Sequence, residues 1–316
     1  MEKHIFEQHR ILYIGMTNGL NGPVTYSNIY AYHDMYKKSH GIDKYLYRLS
    51  EHGLSLKPKE TWYGDWKKKL DKVDTVMLSD GIRGRDIIEY IHRRNPKARI
   101  IVYYMNPNFG GGRNDPRKYR GLTCEMYTFD KKNAEDYGIT FKHYYYPYME
   151  MRTFEVNPQA SYKQDIFFIG EDKGRLEKLL QWKETFERMG LTCKFFIVKS
   201  RHRSYAGYEG EVMSQTVPYD QVIQEIRQSR AILDVMQEKQ HGITWRPMEA
   251  MCFQKKLITT FEEIRNYNFY DPRNIFLLGH DDVEGLKDFL KKPYEPIDDS
   301  IRQEYVAADW LDSFFR

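Results

Sequence analysis

The stretch His241-Gly-Ile-Thr-Trp-Arg-Pro-Met-Glu-Ala-Met-Cys-Phe-Gln-Lys-Lys-Leu-Ile-Thr-Thr260 has the pattern of a loop, a helix and a buried strand. Proline fixes φ, lacks an N–H and disfavours the α region in the preceding residue, so the sequence predicts a helix that begins at Pro247. The free N–H groups of its first turn, and the positive end of its dipole, would then face the loop from Gly242 to Arg246. A helix end with an arginine beside it favours an anionic ligand, above all a diphosphate.

Glu249 lies two residues further along this predicted helix, and two interpretations of it are open. The helix dipole favours a glutamate in the first turn, so Glu249 can be an ordinary helix-end residue. It can equally be a ligand-binding acid beside the loop. Because we expect it to be exposed, its replacement by alanine should cost only about 0.3–1 kcal/mol of stability. Thr244 also has two interpretations, as a phosphate contact or as the residue that starts the helix.

The composition is that of a globular protein with two ordinary domains. The chain has 316 residues, of which 41% are hydrophobic and 30% are charged, which is enough for two separate cores. The net charge of +4 is too mild for a dedicated nucleic-acid binder and predicts a small anionic ligand, or at most contact with a membrane surface. No apolar run approaches the roughly 20 residues that span a bilayer. The charged N-terminus does not resemble a signal peptide, so we expect a cytoplasmic protein whose three cysteines, Cys124, Cys193 and Cys252, are reduced core residues.

Strands and helices alternate along the chain, which predicts parallel sheets covered on both faces. In the first half, the predicted strands span residues 10–15, 44–49, 75–78, 99–104 and 125–129, and the predicted helices 25–38, 84–94 and 131–137. In the second half, strands over 165–170, 193–198, 231–235 and 256–259 alternate with helices over 175–189, 219–229 and 282–290 and with the helix that begins at Pro247. We therefore predict an α/β protein with doubly wound domains over 1–157 and 158–298, and a last helix, over 299–316, that packs back on the first domain.

The glycines do not fit a dinucleotide cofactor. Gly15, Gly19 and Gly22 form G-x-x-x-G-x-x-G, whereas the dinucleotide fingerprint is G-x-G-x-x-G. Gly19, Asn21 and Gly22 instead follow the first strand, at the sheet edge where open α/β folds bind ligands. Asp80 follows another strand at this edge, where it is either a general base or a plain turn residue.

Several runs of the second half resemble bacterial GT-B glycosyltransferases of capsule, exopolysaccharide and lipopolysaccharide assembly. These runs are Ile226–Val235, His241–Met251, Lys255–Thr260 and Tyr267–Ile275, with weaker similarity over Thr128–Ile139 and Asp165–Arg175. Retaining members of this fold carry two glutamates, with seven residues between them, that close on the donor sugar and ribose. Glu249 matches the second of these acids, but His241 occupies the position of the first.

The resemblance implies a nucleotide diphosphate sugar, a uridine one, as the donor. Glu249 would accept hydrogen bonds from the ribose hydroxyls, and Arg246 would stabilise the leaving diphosphate. The residues implied to surround the diphosphate are Gly170, Lys173, Arg175, Gly242, Thr244, Arg246 and Met248. For Lys173 and Arg175, solvated surface charge is the alternative. No two aspartates stand two apart, so the Asp-x-Asp motif that holds a metal-bound diphosphate in the other common glycosyltransferase fold is absent, and we expect no metal.

The first domain would then hold the acceptor, with Asp80 and the residues Gly19, Asn21 and Gly22 on that side. The predicted function is transfer of a sugar to a glycan or lipid-linked acceptor in surface polysaccharide assembly, with no nucleic acid as a partner. A sugar-nucleotide epimerase and a catalytically inactive nucleotide-sugar-binding protein are the alternatives, the latter suggested by His241. Trp62, Trp66 and Leu70, surrounded by lysines, either contact anionic lipid headgroups or belong to a packed surface helix.

Overall fold

The computed structural model describes residues 4–15, 26–38, 40–51, 54, 57–108, 110–149, 162–201, 203–238 and 240–316. Gly19, Asn21 and Gly22 lie outside these ranges. The chain divides into two compact units, Met1–Tyr148 with Val306–Arg316, and Met149–Tyr305. The domain boundaries expected after residues 157 and 298 remain predictions.

The first unit is built on a parallel sheet of six strands in the order β2-β1-β3-β4-β5-β6. The strands are β1 Ile11–Ile14, β2 Ile29–Tyr32, β3 Thr75–Ser79, β4 Arg99–Tyr104, β5 Glu125–Thr128 and β6 Thr140–Phe141. The helices are α1 Gly41–Glu51, α2 Asp86–Arg94 and α3 Lys131–Tyr137, with 3-10 helices over Ile5–Gln8, Lys59–Trp62, Asp65–Lys72 and Pro116–Tyr119. Strands β1 and β3 are buried along their whole length, as expected for apolar runs in a sheet covered on both faces.

Two predicted elements of the first unit are wrong. Part of the helix expected over 25–38 is strand β2, whose residue Ile29 pairs in parallel with Ile11. The strand expected over 44–49 lies within helix α1. Its less exposed positions are Leu46, Tyr47, Leu49 and Ser50. Their spacing of one, three and four residues defines a helical face, whereas the aromatic side chains of β2 suit a pleated strand.

The second unit has its own six-stranded parallel sheet, in the order β12-β11-β10-β7-β8-β9. The strands are β7 Gln164–Glu171, β8 Cys193–Val198, β9 Val212–Met213, β10 Ser229–Asp234, β11 Lys256–Thr259 and β12 Ile275–Leu277. The helices are α4 Leu176–Arg188, α5 Tyr219–Arg227, α6 Trp245–Cys252, α7 Leu286–Lys291 and α8 Asp299–Gln303. The chain leaves β7 towards β8 and β9 and later places β10 on the other side of β7. Ligands of open α/β sheets bind at such a switch point, outside the carboxyl ends of the strands.

Helix α6 begins at Trp245, two residues before the predicted start at Pro247. The extended residue Thr244 caps it, because its Oγ1 accepts a hydrogen bond from the N–H of Arg246 at 3.1 Å. Pro247 occupies the third helical position, where its missing N–H falls among the donors that a helix start leaves unpaired in any case. The first turn therefore offers fewer free N–H groups than the sequence suggested.

The C-terminal segment returns to the first unit, as predicted, but it is not one helix. Val306 is extended and separates α8 from the last helix, α9 Ala307–Asp312. The buried Trp310 packs 4.4 Å from the ring of Tyr145 and donates from Nε1 to the carbonyl of His143 at 2.8 Å. Asp312 accepts a hydrogen bond from the N–H of Phe6 at 2.8 Å. The last helix thus closes the core of the unit in which the chain begins.

The aromatic stripe of the lysine-rich segment faces the core. Trp62, Trp66 and Leu70 are at most 4% exposed, and Trp66 donates from Nε1 to the carbonyl of Met35 at 2.8 Å. Packing, and not lipid contact, therefore accounts for this stripe. Among the described residues, no helix combines the length and apolar character that crossing a membrane requires.

The three cysteines are reduced thiols in apolar surroundings. Cys252 is buried, and Cys124 and Cys193 are partly buried. Burial raises the pKa of the Cys124 thiol to about 11 and that of the other two thiols to about 12. The thiols are therefore protonated near neutral pH, which fits the expected core role.

We predict that Trp310→Ala lowers the free energy of unfolding by about 3–5 kcal/mol, since it leaves a cavity and removes the hydrogen bond to His143. Urea unfolding followed by circular dichroism measures this loss. The matched control is Trp182→Ala, because the half-buried Trp182 stacks on Phe186 at the surface of α4; its expected cost is about 1 kcal/mol. Equal losses in the two variants would contradict a core role for the C-terminal helix.

Candidate functional site

A cluster of buried charges lies at the switch point of the second sheet. Its centre is Asp234, the last residue of β10, which is 2% exposed. The Asp234 carboxylate accepts hydrogen bonds from Thr244 Oγ1 at 3.1 Å and from Thr259 Oγ1 at 3.2 Å. Asp234 therefore ties the start of α6 and the end of β11 to the end of β10.

Arg175 links the end of β7 to the end of β10 at the same switch point. From the loop after β7, its guanidinium donates to the carbonyls of Glu171 at 2.5 Å and Asp172 at 3.1 Å, and also to the carbonyl of Val235, just after β10. These bonds fix a partly exposed cation between β7 and β10. The solvated-surface interpretation of Arg175 is therefore wrong, since all three contacts bind the guanidinium to the protein.

Gly170 lies close to this guanidinium near the end of β7. A Cβ atom at Gly170 would come within 3.2 Å of the Phe168 ring and 3.4 Å of Arg175 Nη2. The first distance is tight and the second is an ordinary contact, so a larger residue here would require the Phe168 ring to shift by a few tenths of an ångström.

Glu249 and Arg246 form a close pair in the first turns of α6. Arg246 Nη1 lies 2.6 Å from Glu249 Oε2, and the two side chains are 15% and 0% exposed. Tyr219 donates from its hydroxyl to the other carboxylate oxygen at 2.7 Å. Arg246 Nη1 and Glu249 Oε2 are in contact but are not aligned as a hydrogen bond, so neither atom has a hydrogen-bond partner among the described residues. Buried polar atoms without a hydrogen-bond partner are rare and call for an explanation, of which a bound ligand is one.

Burial and the neighbouring arginines shift the pKa values of Glu249 and Asp234 in opposite directions. Burial raises the pKa of Glu249, and the charge of Arg246 and the hydrogen bond from Tyr219 oppose this shift. Burial also raises the pKa of Asp234, against the charges of Arg175 and Arg246 and the hydrogen bonds from the two threonines. Two arginines and two carboxylates thus form one electrostatic group at the carboxyl edge of the sheet.

The structure corrects several sequence-based expectations around α6. Glu249 is fully buried, not exposed, because α6 packs against β10 and β11 with this side inward. Thr244 caps the helix, and its hydroxyl donates a hydrogen bond to Asp234. The interpretation of Thr244 as a phosphate contact is therefore not supported. Met248 and Gly242 are buried, and the carbonyl of Gly242 accepts a hydrogen bond from Gln240.

Two predicted site residues have their described contacts elsewhere. His241 is partly exposed, and its Nδ1 lies 3.1 Å from Glu263 Oε1. Lys173 is exposed, and its backbone N–H donates to Ser200 Oγ at 2.8 Å. Contact of either side chain with a donor remains a prediction.

Sequence reasoning missed Asp234 and Tyr219. An aspartate that ends the apolar run Ala231-Ile-Leu-Asp234 was a usable signal, because a charged residue at the carboxyl end of a buried strand faces the ligand edge of the sheet. Tyr219 carries no such signal, since it begins helix α5 and meets Glu249 only through the tertiary fold.

In the first unit, Asp80 lies beside the corresponding switch point, between β1 and β3. One carboxylate oxygen accepts from the N–H of Asn106 at 3.1 Å and from its side-chain amide at 3.0 Å. Burial raises the pKa of Asp80. Gly15, at the end of β1, has a φ of +87°, and a Cβ there would lie 2.3 Å from Ser79 Oγ. Position 15 therefore favours glycine, both for its positive φ and for the close approach of Ser79.

Comparisons with known proteins find similarity in structure only. No family model and no curated protein sequence matches the chain. An α-glucosyltransferase in complex with UDP and a 13-mer DNA containing a central A:G mismatch is similar over 96% of this chain and 95% of its own, with 11% identity and a TM-score of 0.53. A DNA-modifying β-glucosyltransferase, studied with and without uridine diphosphoglucose, covers 96% and 98% at 16% identity and a TM-score of 0.45. A UDP-N-acetylglucosamine 2-epimerase from Rickettsia bellii covers 96% and 94% at 11% identity and a TM-score of 0.42.

These findings define the class of fold. The chain is an α/β protein with two six-stranded parallel sheets, and its architecture is that of the GT-B proteins. The predicted fold class is thereby confirmed. At such low identities the similarity concerns the fold, and activity has to be argued from the site itself.

We predict that Glu249→Ala lowers the free energy of unfolding by about 3–5 kcal/mol, because it removes the ion-pair partner of Arg246, whose side chain is only 15% exposed. Chemical denaturation measures the loss. Glu284→Ala is the control at an exposed glutamate, with an expected change within about 0.5 kcal/mol. A loss below about 1 kcal/mol for Glu249→Ala would instead support the exposed helix-end residue expected from the sequence.

Proposed function

We propose that this protein is a glycosyltransferase that moves a sugar from a nucleotide diphosphate donor, a UDP-sugar, to an acceptor hydroxyl. The observation that carries the proposal is the unsatisfied pair at the switch point of the second sheet, Arg246 Nη1 and Glu249 Oε2. A ribose hydroxyl can donate to the carboxylate oxygen, and a phosphate oxygen can accept from the guanidinium nitrogen. A nucleoside diphosphate offers both groups in one molecule.

Charge stabilisation of the leaving group follows from the same residues. When the bond between the anomeric carbon and the phosphate oxygen breaks, the electron pair remains on the diphosphate. Arg246 and Arg175 carry fixed positive charge next to Asp234, and prearranged charge of this kind lowers the barrier most where negative charge develops. Gly170, Gly242, Thr244 and Met248 support this arrangement by shaping the backbone around it, and Lys173 remains a proposed phosphate contact.

On the acceptor side we assign Asp80 the role of general base. The acceptor oxygen forms a bond to the anomeric carbon, and its proton passes to the carboxylate. The raised pKa of Asp80 suits proton transfer closer to neutral pH. Asn106 holds one carboxylate oxygen through two hydrogen bonds, which fixes the orientation of the carboxyl group.

A glycan or lipid-linked acceptor, as in surface polysaccharide assembly, follows from the resemblance in sequence. The exclusion of nucleic acid is not supported, since the α-glucosyltransferase with the same fold was bound to DNA. The usual DNA bases carry no hydroxyl group, so duplex DNA can accept a sugar only on a hydroxylated base. A sugar-nucleotide epimerase remains the second candidate, because that activity is also known on the two-domain GT-B scaffold. A donor-binding protein without turnover is the third candidate.

The test is incubation of the purified protein with a panel of nucleotide sugars, with and without glycan, lipid-linked and hydroxylated-DNA acceptors. A transferase releases nucleotide in proportion to glycosylated acceptor, an epimerase forms an isomeric donor without acceptor, and an inactive binder does neither.

We expect Arg246→Lys to impair transfer, because it loses the two-pronged guanidinium, and Arg246→Met to lower kcat/KM at least about a hundredfold. The controls Arg188→Lys and Arg188→Met, at an exposed arginine of α4, should retain activity. Full activity in Arg246→Met would remove Arg246 from the site.

Metal dependence gives a separate prediction. With two arginines available for the diphosphate, we expect transfer to continue in excess chelator. Among the described residues, no group of three His, Cys, Asp or Glu side chains is arranged to hold a metal ion. Initial rates in chelator and in added magnesium or manganese measure the effect. Loss of transfer in chelator, restored by either metal, would refute the proposed stabilisation by the arginines alone.

A further inference from the structure

A pocket lies at the amino ends of the strands of the second sheet, opposite the candidate donor site. It has a volume of about 390 Å³, and the residues of its wall that concern binding are Tyr162, Arg230, Lys256, Lys291, Lys292 and Tyr294. Arg230 is near the amino end of β10 and Lys256 begins β11, whereas Asp234 and Thr259 lie at the carboxyl ends of these strands. The rise along a strand separates the two edges by roughly 10–13 Å, so this pocket is distinct from the candidate donor site.

The pocket carries an excess of positive charge. Four cationic residues line it, and no carboxylate belongs to its described lining. Asp165 lies 3.0 Å from the Arg230 guanidinium and Asp288 lies 2.9 Å from the Lys291 ammonium, so two of the cations have acidic partners outside the lining. Burial lowers the pKa of the Lys256 ammonium group, and the nearby Glu295 and Asp271, also outside the lining, oppose this shift. The exposed Lys292 adds further charge.

The wall of the pocket is held in place without a ligand. Lys256 is 3% exposed, and its ammonium donates to the carbonyl of Pro293 at 2.7 Å and to that of Arg273. Asn274 exchanges two hydrogen bonds with the backbone of Glu295, at 2.7 and 2.9 Å. The segment from Lys291 to Pro296 is thereby fixed to the β11 and β12 side of the sheet, and a preformed wall lowers the entropic cost of binding.

The ring of Tyr162 contacts two cationic side chains on the opposite side of the pocket. The Arg230 guanidinium lies 5.0 Å from the centre of the Tyr162 ring, and the Lys255 ammonium lies 4.6 Å from it. Cation–π contacts of this kind hold the charges at the pocket margin. The rings of Tyr162 and Tyr294 add apolar surface for the body of a ligand.

We propose that this pocket binds a small phosphorylated molecule of the size of a sugar phosphate. A phosphate group offers two negative charges and several acceptor oxygens, which suit the fork of Arg230 and the ammonium groups of Lys291 and Lys292. The volume is within the range of small-molecule sites. The site is independent of the proposed transfer reaction, because its residues lie at the other edge of the sheet.

The test is calorimetric titration of the intact protein with a hexose phosphate, glycerol phosphate and inorganic pyrophosphate. We expect saturable binding of at least one probe, weakened roughly tenfold or more in Lys291→Gln/Lys292→Gln and in Arg230→Gln. The matched control Lys287→Gln removes an exposed lysine of the same helix, α7, that does not line the pocket, and it should bind as the wild type does. Arg246→Met, which disables the candidate donor site, should also bind normally. Thermal unfolding of each variant checks that it is folded.

Three results would overturn the proposal. One is the absence of saturable binding of every probe up to about 1 mM, which corresponds to a free energy of about −4 kcal/mol. Another is wild-type affinity in both pocket variants. The third is loss of binding in Arg246→Met, which would place the phosphate in the donor site. Flotation with phosphatidylglycerol vesicles tests the other source of phosphate: lysine-dependent binding to vesicles, with none to the soluble probes, would replace the small molecule by a lipid headgroup.

Discussion

Buried charge at the switch point of the second sheet is the constraint on which the candidate site depends. A carboxylate in a protein interior is stable only when hydrogen bonds or an opposite charge compensate for lost hydration. Asp234 and Glu249 meet this requirement through Arg175, Arg246, two threonines and a tyrosine. The partners come from the loop after β7, the start of α5, the start of α6 and the end of β11, so the charges help to fix the relative positions of these segments.

The compensation is complete for Asp234 and incomplete for Glu249. Both carboxylate oxygens of Asp234 accept hydrogen bonds, which suits a structural role. Glu249 has one oxygen satisfied by Tyr219 and the other only in unaligned contact with Arg246. A ligand with a hydroxyl donor for Glu249 Oε2 and an anionic oxygen for Arg246 Nη1 can complete the hydrogen bonding of both groups. The proposed nucleotide site is therefore built on Glu249 and Arg246, with Asp234 and Arg175 as its support.

In the second unit, the carboxyl ends and the amino ends of the strands have different electrostatic environments. At the carboxyl edge, cations are matched by buried acids, which suits the proposed ligand with both donors and acceptors. At the amino edge, the pocket lined by Arg230, Lys256, Lys291 and Lys292 has no acid in its described lining, which favours a plain anion. The same fold can thus present two different electrostatic environments, separated only by the length of the strands.

The sequence by itself determined the elements with strong local signals. The structure reproduces the predicted bounds of β4, α3, β8 and β11, because apolar runs and helix-capping residues act over a few neighbours. The sequence also indicated Glu249, Arg246 and Arg175 as candidate site residues. Only the tertiary structure decided that Glu249 is buried and hydrogen-bonded to Tyr219, thirty residues earlier in the chain, and that Asp234 interacts electrostatically with both Arg175 and Arg246. It alone also decided that residues 29–32 pair as a strand with β1. These outcomes depend on contacts between distant segments, whose energies no local pattern contains.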